Sequence, residues 1–282
     1  MRRAAAAIAF RRAWAAACGA VLLVAAGAAL ADDQQPSGAM WDFLRAKYYG
    51  DRPMGLVDET YMSLEVPSNT PDPAATPLTL HFADDPAARV KRVRVFVDNN
   101  PSPLVATFEL GDPPVTQIDL HVRIDRFTSV RAVAERADGG LEMRSAWVKA
   151  SGGCSAPPTD SLQGGALGQI KLRPAADGRA ILISIRHPNS SGFQIDPRTG
   201  DNIPAHYVSH IRIEAGGRTL LDAETGISVS ENPTLRIASD QSLPGPLTVD
   251  AVDSVTQAHF TASNSSPRTA ATQVLAPANG GH

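Results

Sequence analysis

Cysteine is almost missing from this chain. Two occur among 282 residues, and Cys18 lies inside the N-terminal apolar stretch. Once that stretch is removed, Cys154 stands alone, so no cystine can staple the fold and packing must hold it. A lone cysteine also lacks a resolving partner, which argues against a thiol oxidoreductase. No Gly-x-Ser-x-Gly elbow places a hydrolytic nucleophile, and no glycine-rich loop followed by Lys cradles phosphate. A basic excess is missing too. The net charge is −3 with 26 basic and 29 acidic residues, which speaks against a nucleic-acid partner.

What is present begins with export. Arg2, Arg3, Arg11 and Arg12 precede an apolar stretch from Ala13 to Leu30 that closes on Ala29-Leu30-Ala31. This pattern predicts a cleavable signal peptide over 1–31 and a periplasmic protein. Arg11-Arg12 leaves a twin-arginine route open beside the general one, and an uncleaved stretch would be a membrane anchor. Removal takes away four basic and no acidic residues, moving the net charge from −3 to about −7.

Beyond the leader, Trp41, Leu44 and Tyr48 recur at spacings of three and four, predicting one short helix that ends near Gly50 and packs on its own domain. The pattern then changes to short β-type runs parted by Pro, Gly, Asp and Asn: 61–66, 77–82, 90–97, 104–110, 118–124, 129–135 and 141–149. A second series follows at 168–173, 180–186, 205–214, 218–222, 234–238, 247–253 and 258–262. The fold class is therefore all-β, two immunoglobulin-like sandwiches over 32–150 and 168–263 with one short N-terminal helix. Residues 151–167, rich in Gly, Ser and Pro, form the linker between them, and 264–282 reads as a disordered tail. Lys91, Arg92, Arg94, Arg212 and Arg218 are expected on solvated edge strands.

Cys154 sits in that linker, in Ser151-Gly152-Gly153-Cys154-Ser155 with Pro157-Pro158 beyond. Gly152 and Gly153 remove backbone restraint, so the sulfur is expected on a flexible, exposed arm, with a disulfide-linked dimer through Cys154 as a side reaction. An exposed thiol of this kind should titrate near the ordinary value of about 8.5. His187, His206 and His210 invite a metal site. On a strand, however, His206 and His210 stand roughly 13 Å apart, so no metal site is assigned and the histidines are expected to brace the fold.

These residues carry a resemblance. Phe96-Val97-Asp98-Asn99-Asn100-Pro101-Ser102-Pro103-Leu104-Val105-Ala106-Thr107-Phe108, Ala132-Val133-Ala134-Glu135 with Asp138-Gly139, and Gly152-Gly153-Cys154 resemble the SoxY subunit of the periplasmic sulfur-oxidation carrier. Ile185-Arg186-His187-Pro188, Ile203-Pro204-Ala205-His206-Tyr207-Val208 and Gly226-Ile227-Ser228-Val229-Ser230-Glu231-Asn232-Pro233 resemble SoxZ. The order is that of a SoxY-SoxZ fusion, similar to the carriers associated with quinoprotein dehydrogenases. The resemblance implies a carrier with no catalysis of its own and no cofactor. It would hold a small sulfur compound covalently on Cys154 for sulfur-oxidation enzymes or c-type cytochromes. An accessory role beside a quinoprotein dehydrogenase is the alternative. One departure stands out: the SoxY cysteine ends its chain within Gly-Gly-Cys-Gly-Gly, whereas here Ser155 follows and more than 120 residues come after. An internal arm enters a partner's site as two strands rather than one.

Overall fold

The computed structural model describes residues 38–56, 61–83, 89–159 and 166–264. The expected leader and residues 265–282 lie outside the described residues, as do 160–165 within the linker. Asn264, assigned to the tail, is tied down: its amide donates to the Leu247 carbonyl, and the Leu247 amide donates to its side chain.

The helix forms as its apolar spacing requires, α1 at Gly38–Tyr49. Leu44 and Tyr49 are buried against Phe96, Val133 and Leu141, and the rings of Trp41, Tyr48 and Tyr49 all meet Phe96 edge-on. Phe43, off this stripe, is exposed. The helix thus packs on its own sheet.

The first half supplies β1 (Met54–Leu56), β2 (Met62–Glu65), β3 (Thr76–Phe82), β4 (Val90–Val97), β5 (Leu104–Leu110), β6 (Gln117–Val122), β7 (Thr128–Arg136) and β8 (Leu141–Val148). The second supplies β9 (Ile170–Pro174), β10 (Ala180–Ile185), β11 (Val208–Ala215), β12 (Arg218–Thr225), β13 (Thr234–Ala238), β14 (Leu247–Asp253) and β15 (His259–Ser263). Alternation sets the inward face. In β14, Leu247, Val249, Ala251 and Asp253 are buried while the residues between them are only partly so. β7 departs from alternation because α1 covers its second face: seven consecutive residues are buried from Thr128 to Ala134. β1 has no alternating signal at three residues, and it joins β8 in parallel.

The two sandwiches are not held apart by the linker. One sheet runs β1-β8-β7-β4-β5-β12-β11-β14-β15, and the other runs β2-β3-β6-β13-β10-β9. Each sheet crosses from one half to the other through an antiparallel pair, β5 with β12 and β6 with β13. Apart from the group under the helix around Phe96, the buried apolar side chains of both halves form one continuous cluster, from Met62 to Ala251.

This continuity corrects the edge-strand expectation. β4, β11 and β12 are interior strands, and Arg92, Arg212 and Arg218 on them are ion-paired. Arg92 bridges Glu109 and Glu135, Arg212 pairs with Asp222, and Arg218 pairs with Asp112 across the junction.

Candidate functional site

Cys154 lies where the two halves meet, and its environment is built from the end of β6 outward. The chain leaves β6 at Val122 and turns through Arg123, Ile124 and Asp125. Arg123 donates its amide to the Ser228 carbonyl and Ile124 to the Pro73 carbonyl. Asn100 clamps the same turn, donating to the Arg123 carbonyl and to Ser228 Oγ while accepting from the Asp125 amide.

The cysteine segment then lies down on this turn. Gly152 donates to the Asp125 carbonyl and Gly153 to the Ile124 carbonyl, both at 2.9 Å. Gly152 has φ +82°, and a Cβ on Gly153 would land on the Pro73 carbonyl oxygen and the Ile124 backbone. The glycines therefore permit close backbone approach, and Gly153 is itself buried. This revises the flexible-arm reading of Gly152 and Gly153.

The second half closes the site from the other side. Ser191 Oγ donates to the Cys154 carbonyl and Gln194 Nε2 donates to the Ala156 carbonyl at 3.0 Å. Thr159 donates its amide and hydroxyl to the Glu231 carboxylate. Cys154 is consequently 0% exposed, contrary to the exposed thiol expected. Burial pushes its thiol up to about 12, with Asp125 adding to the rise and Arg123 opposing it. A sulfur so covered cannot reach a second copy to form a disulfide-linked dimer in this conformation.

Arg123 is the other member of the site. It is 1% exposed, donating from Nη1 to the Gly153 carbonyl at 3.1 Å and from Nη2 to the Asn189 carbonyl at 3.2 Å. Among the described residues its Nε has no partner, and burial lowers its pKa. Sequence reading passed over it, because an arginine at the end of a strand gives no sign that the fold will enclose it.

Two of the three histidines come together elsewhere in the second half. His187 Nε2 and His206 Nε2 lie 3.1 Å and 2.5 Å from Asp253 Oδ2, while Asp253 Oδ1 accepts the amides of Val255 and Thr256. Burial alone would raise the Asp253 carboxyl, but these four donors hold it far below the usual range. His210 is separate, bonded to Asp222. The three ligand atoms lie within 4.8 Å of one another, a spacing a metal could use. The tautomer opposes it. The Asn189 amide donates to His187 Nδ1 at 3.0 Å, which assigns the ring proton to Nε2, where it faces Asp253. A metal on Nε2 would send that proton to Nδ1, against the Asn189 N–H. The triad suits hydrogen bonding, and its histidines brace the fold through a shared carboxylate.

Fold and site together define a two-module β-sandwich protein organised around one cysteine. The family model for sulfur oxidation protein SoxY matches residues 45–154 and that for sulphur oxidation protein SoxZ matches 171–264. The chain belongs to these families as a SoxYZ-like fusion, with the sulfur-oxidation carrier role that they imply. The SoxY match ends on Cys154.

Among solved structures, the chain is similar to the sulfur carrier protein SoxY from Chlorobium limicola f thiosulfatophilum, at 20% identity and a TM-score of 0.34, covering 40% of this chain and 93% of that one. A superoxide reductase (neelaredoxin) from Ignicoccus hospitalis is similar at 8% identity and a TM-score of 0.28, covering 32% and 78%. Neither likeness bears on what this chain does. No curated protein matches its sequence.

Proposed function

We propose that this protein is a periplasmic carrier that holds a small sulfur compound covalently on Cys154 and presents it to partner enzymes. The observation that carries the reading is the position of Cys154 as the last residue of the SoxY match. The hydrogen bonds from Ser191 and Gln194 to its segment support a stowed state. There the sulfur is protonated and covered, and loading requires the segment to lift from the turn at 123–125. Partners would be periplasmic sulfur-oxidation enzymes or c-type cytochromes. The protein itself supplies no catalysis, consistent with a thiol whose burial keeps it from the reactive thiolate form.

Intact mass measurement on protein from its native compartment, before and after a thiol reductant, tests the reading, with Cys154→Ser as control. A reductant-labile increase of sulfur or a sulfur oxyanion, lost in the variant, is the expected result. The same burial favours a second reading, a non-catalytic accessory to a periplasmic quinoprotein dehydrogenase in which Cys154 carries nothing. An unmodified thiol while the partner enzymes are active would select it.

A further inference from the structure

A buried guanidinium needs bonding partners for five N–H groups and a counter-charge. Arg123 has two neutral carbonyls and an empty Nε. Among the described residues no carboxylate is bonded to it; the carboxylates that act on it at longer range are those of Glu231 and Asp72. One of its two bonds goes to the Gly153 carbonyl, the peptide group that leads into Cys154, so the cation is fixed beside the residue that bears the sulfur. The other goes to Asn189, whose amide, side-chain amide and side-chain carbonyl are held by His187, Val229 and Val208. The guanidinium is braced from both halves while part of its donor set stays open.

We propose that Arg123 is the binding residue for the group carried on Cys154, and that the site selects a group ending in a negative charge. When the loaded segment is seated, the open donor edge of the guanidinium takes that charge, giving the buried cation a directly bonded counter-ion. A neutral group of the same size leaves the cation unpaired and gains nothing. The natural cargo follows from this only through the carrier reading above. The preference for an anion is a property of the folded site and is measurable without any partner enzyme.

Two alkylating reagents supply the test on the full chain. With iodoacetate or iodoacetamide, the Cys154 sulfur gives its proton to buffer and displaces iodide. A C–S bond forms as the C–I bond breaks, leaving an anionic carboxymethyl or a neutral carbamidomethyl group of nearly equal size. Thermal unfolding is then compared for the two adducts. The carboxymethyl form is expected to melt higher by about 3 °C or more. In Arg123→Gln the difference should vanish, and in Arg123→Lys it should be reduced. Equal melting in the wild type, or a higher value for the neutral adduct, overturns the proposal, and this comparison stands even if Arg123→Gln fails to fold. Failure here with a labile sulfur adduct found by mass would leave the carrier intact and remove Arg123 from it. Success with no native adduct would do the reverse.

Discussion

Two charged side chains are buried on either side of the junction, and they are treated in opposite ways. Asp253 receives two imidazole N–H groups and two backbone amides. Arg123 donates to two carbonyls and, among the described residues, leaves its Nε without a partner. A saturated buried charge has nothing left to offer a ligand and holds the structure around it. One left partly unmet is destabilising as it stands and becomes favourable only when something arrives. The first arrangement belongs to the SoxZ half and braces the loops around His187 and His206. The second lies under the cysteine of the SoxY half.

The largest expected effect separates the two directly. Asp253→Ala strands four donors and should cost about 3–5 kcal/mol of stability. Arg123→Met removes an ill-served cation and should stay within about 2 kcal/mol of wild type. Urea midpoints of both variants check this, and equal losses would erase the distinction. Next comes the thiol. With its pKa pushed up to about 12, folded Cys154 should react with iodoacetamide at pH 8 on the order of a thousandfold more slowly than the urea-unfolded chain. Ser191→Ala with Gln194→Ala removes two bonds holding the segment, each contributing about 1 kcal/mol, and should raise the folded-state rate roughly thirtyfold. No change would mean that these bonds do not hold the segment closed.

The smallest effect is in the pH profile of stability. Burial lowers His187 below its ordinary 6.5, so its contribution is complete above about 6.5 and is lost as pH falls, because the unfolded chain takes the proton first. Asp253, also depressed, adds a further loss below about 4. Cys154 is raised, so its contribution is complete below the ordinary thiol value of about 8.5 and is lost as pH rises above it. Each limb is limited to about 1.4 kcal/mol per pH unit for one proton. Cys154→Ser should abolish the alkaline limb and leave the acid limb in place. Melting temperatures from pH 4 to 10 would show it, and an unchanged alkaline limb would remove Cys154 as its cause.

Much of the fold was legible because its signals are local. β4, β5, β13 and β14 occupy the ranges that alternation and turn residues marked, and Trp41, Leu44 and Tyr48 marked the helix. Missed features depend on what lies across the chain. β1 is three residues long and is defined by its pairing with β8. β4, β11 and β12 read as edges because their outward cations suit a wet face, yet Arg92 and Arg212 face carboxylates on adjacent strands and Arg218 faces Asp112 just beyond β5. His206 and His210 read as sharing one side of a strand. β11 begins at Val208, with a register shift between Val208 and His210, so His206 reaches Asp253 and His210 turns to Asp222.

The site was half legible in the same sense. Cys154 was singled out by its isolation in composition, and Gly152-Gly153 by their place before it. Their role was misread because glycine serves two opposite ends, freedom in a loop and close approach in a packed contact. Which one applies depends on what lies opposite. Here it is the backbone at Pro73 and Ile124, about 80 and 30 residues away in sequence.

By itself the sequence determined an all-β chain of two modules, their order, and a single cysteine between them, because periodicity, turn chemistry and composition are properties of neighbouring residues. Only the tertiary structure decided that the modules merge through both sheets and that the cysteine is stowed. It also decided that Arg123 is enclosed beneath that cysteine with no carboxylate bonded to it among the described residues. Burial and charge pairing are set by what meets across the junction, through contacts between residues as far apart as Arg123 and Asn189, and no local pattern encodes them.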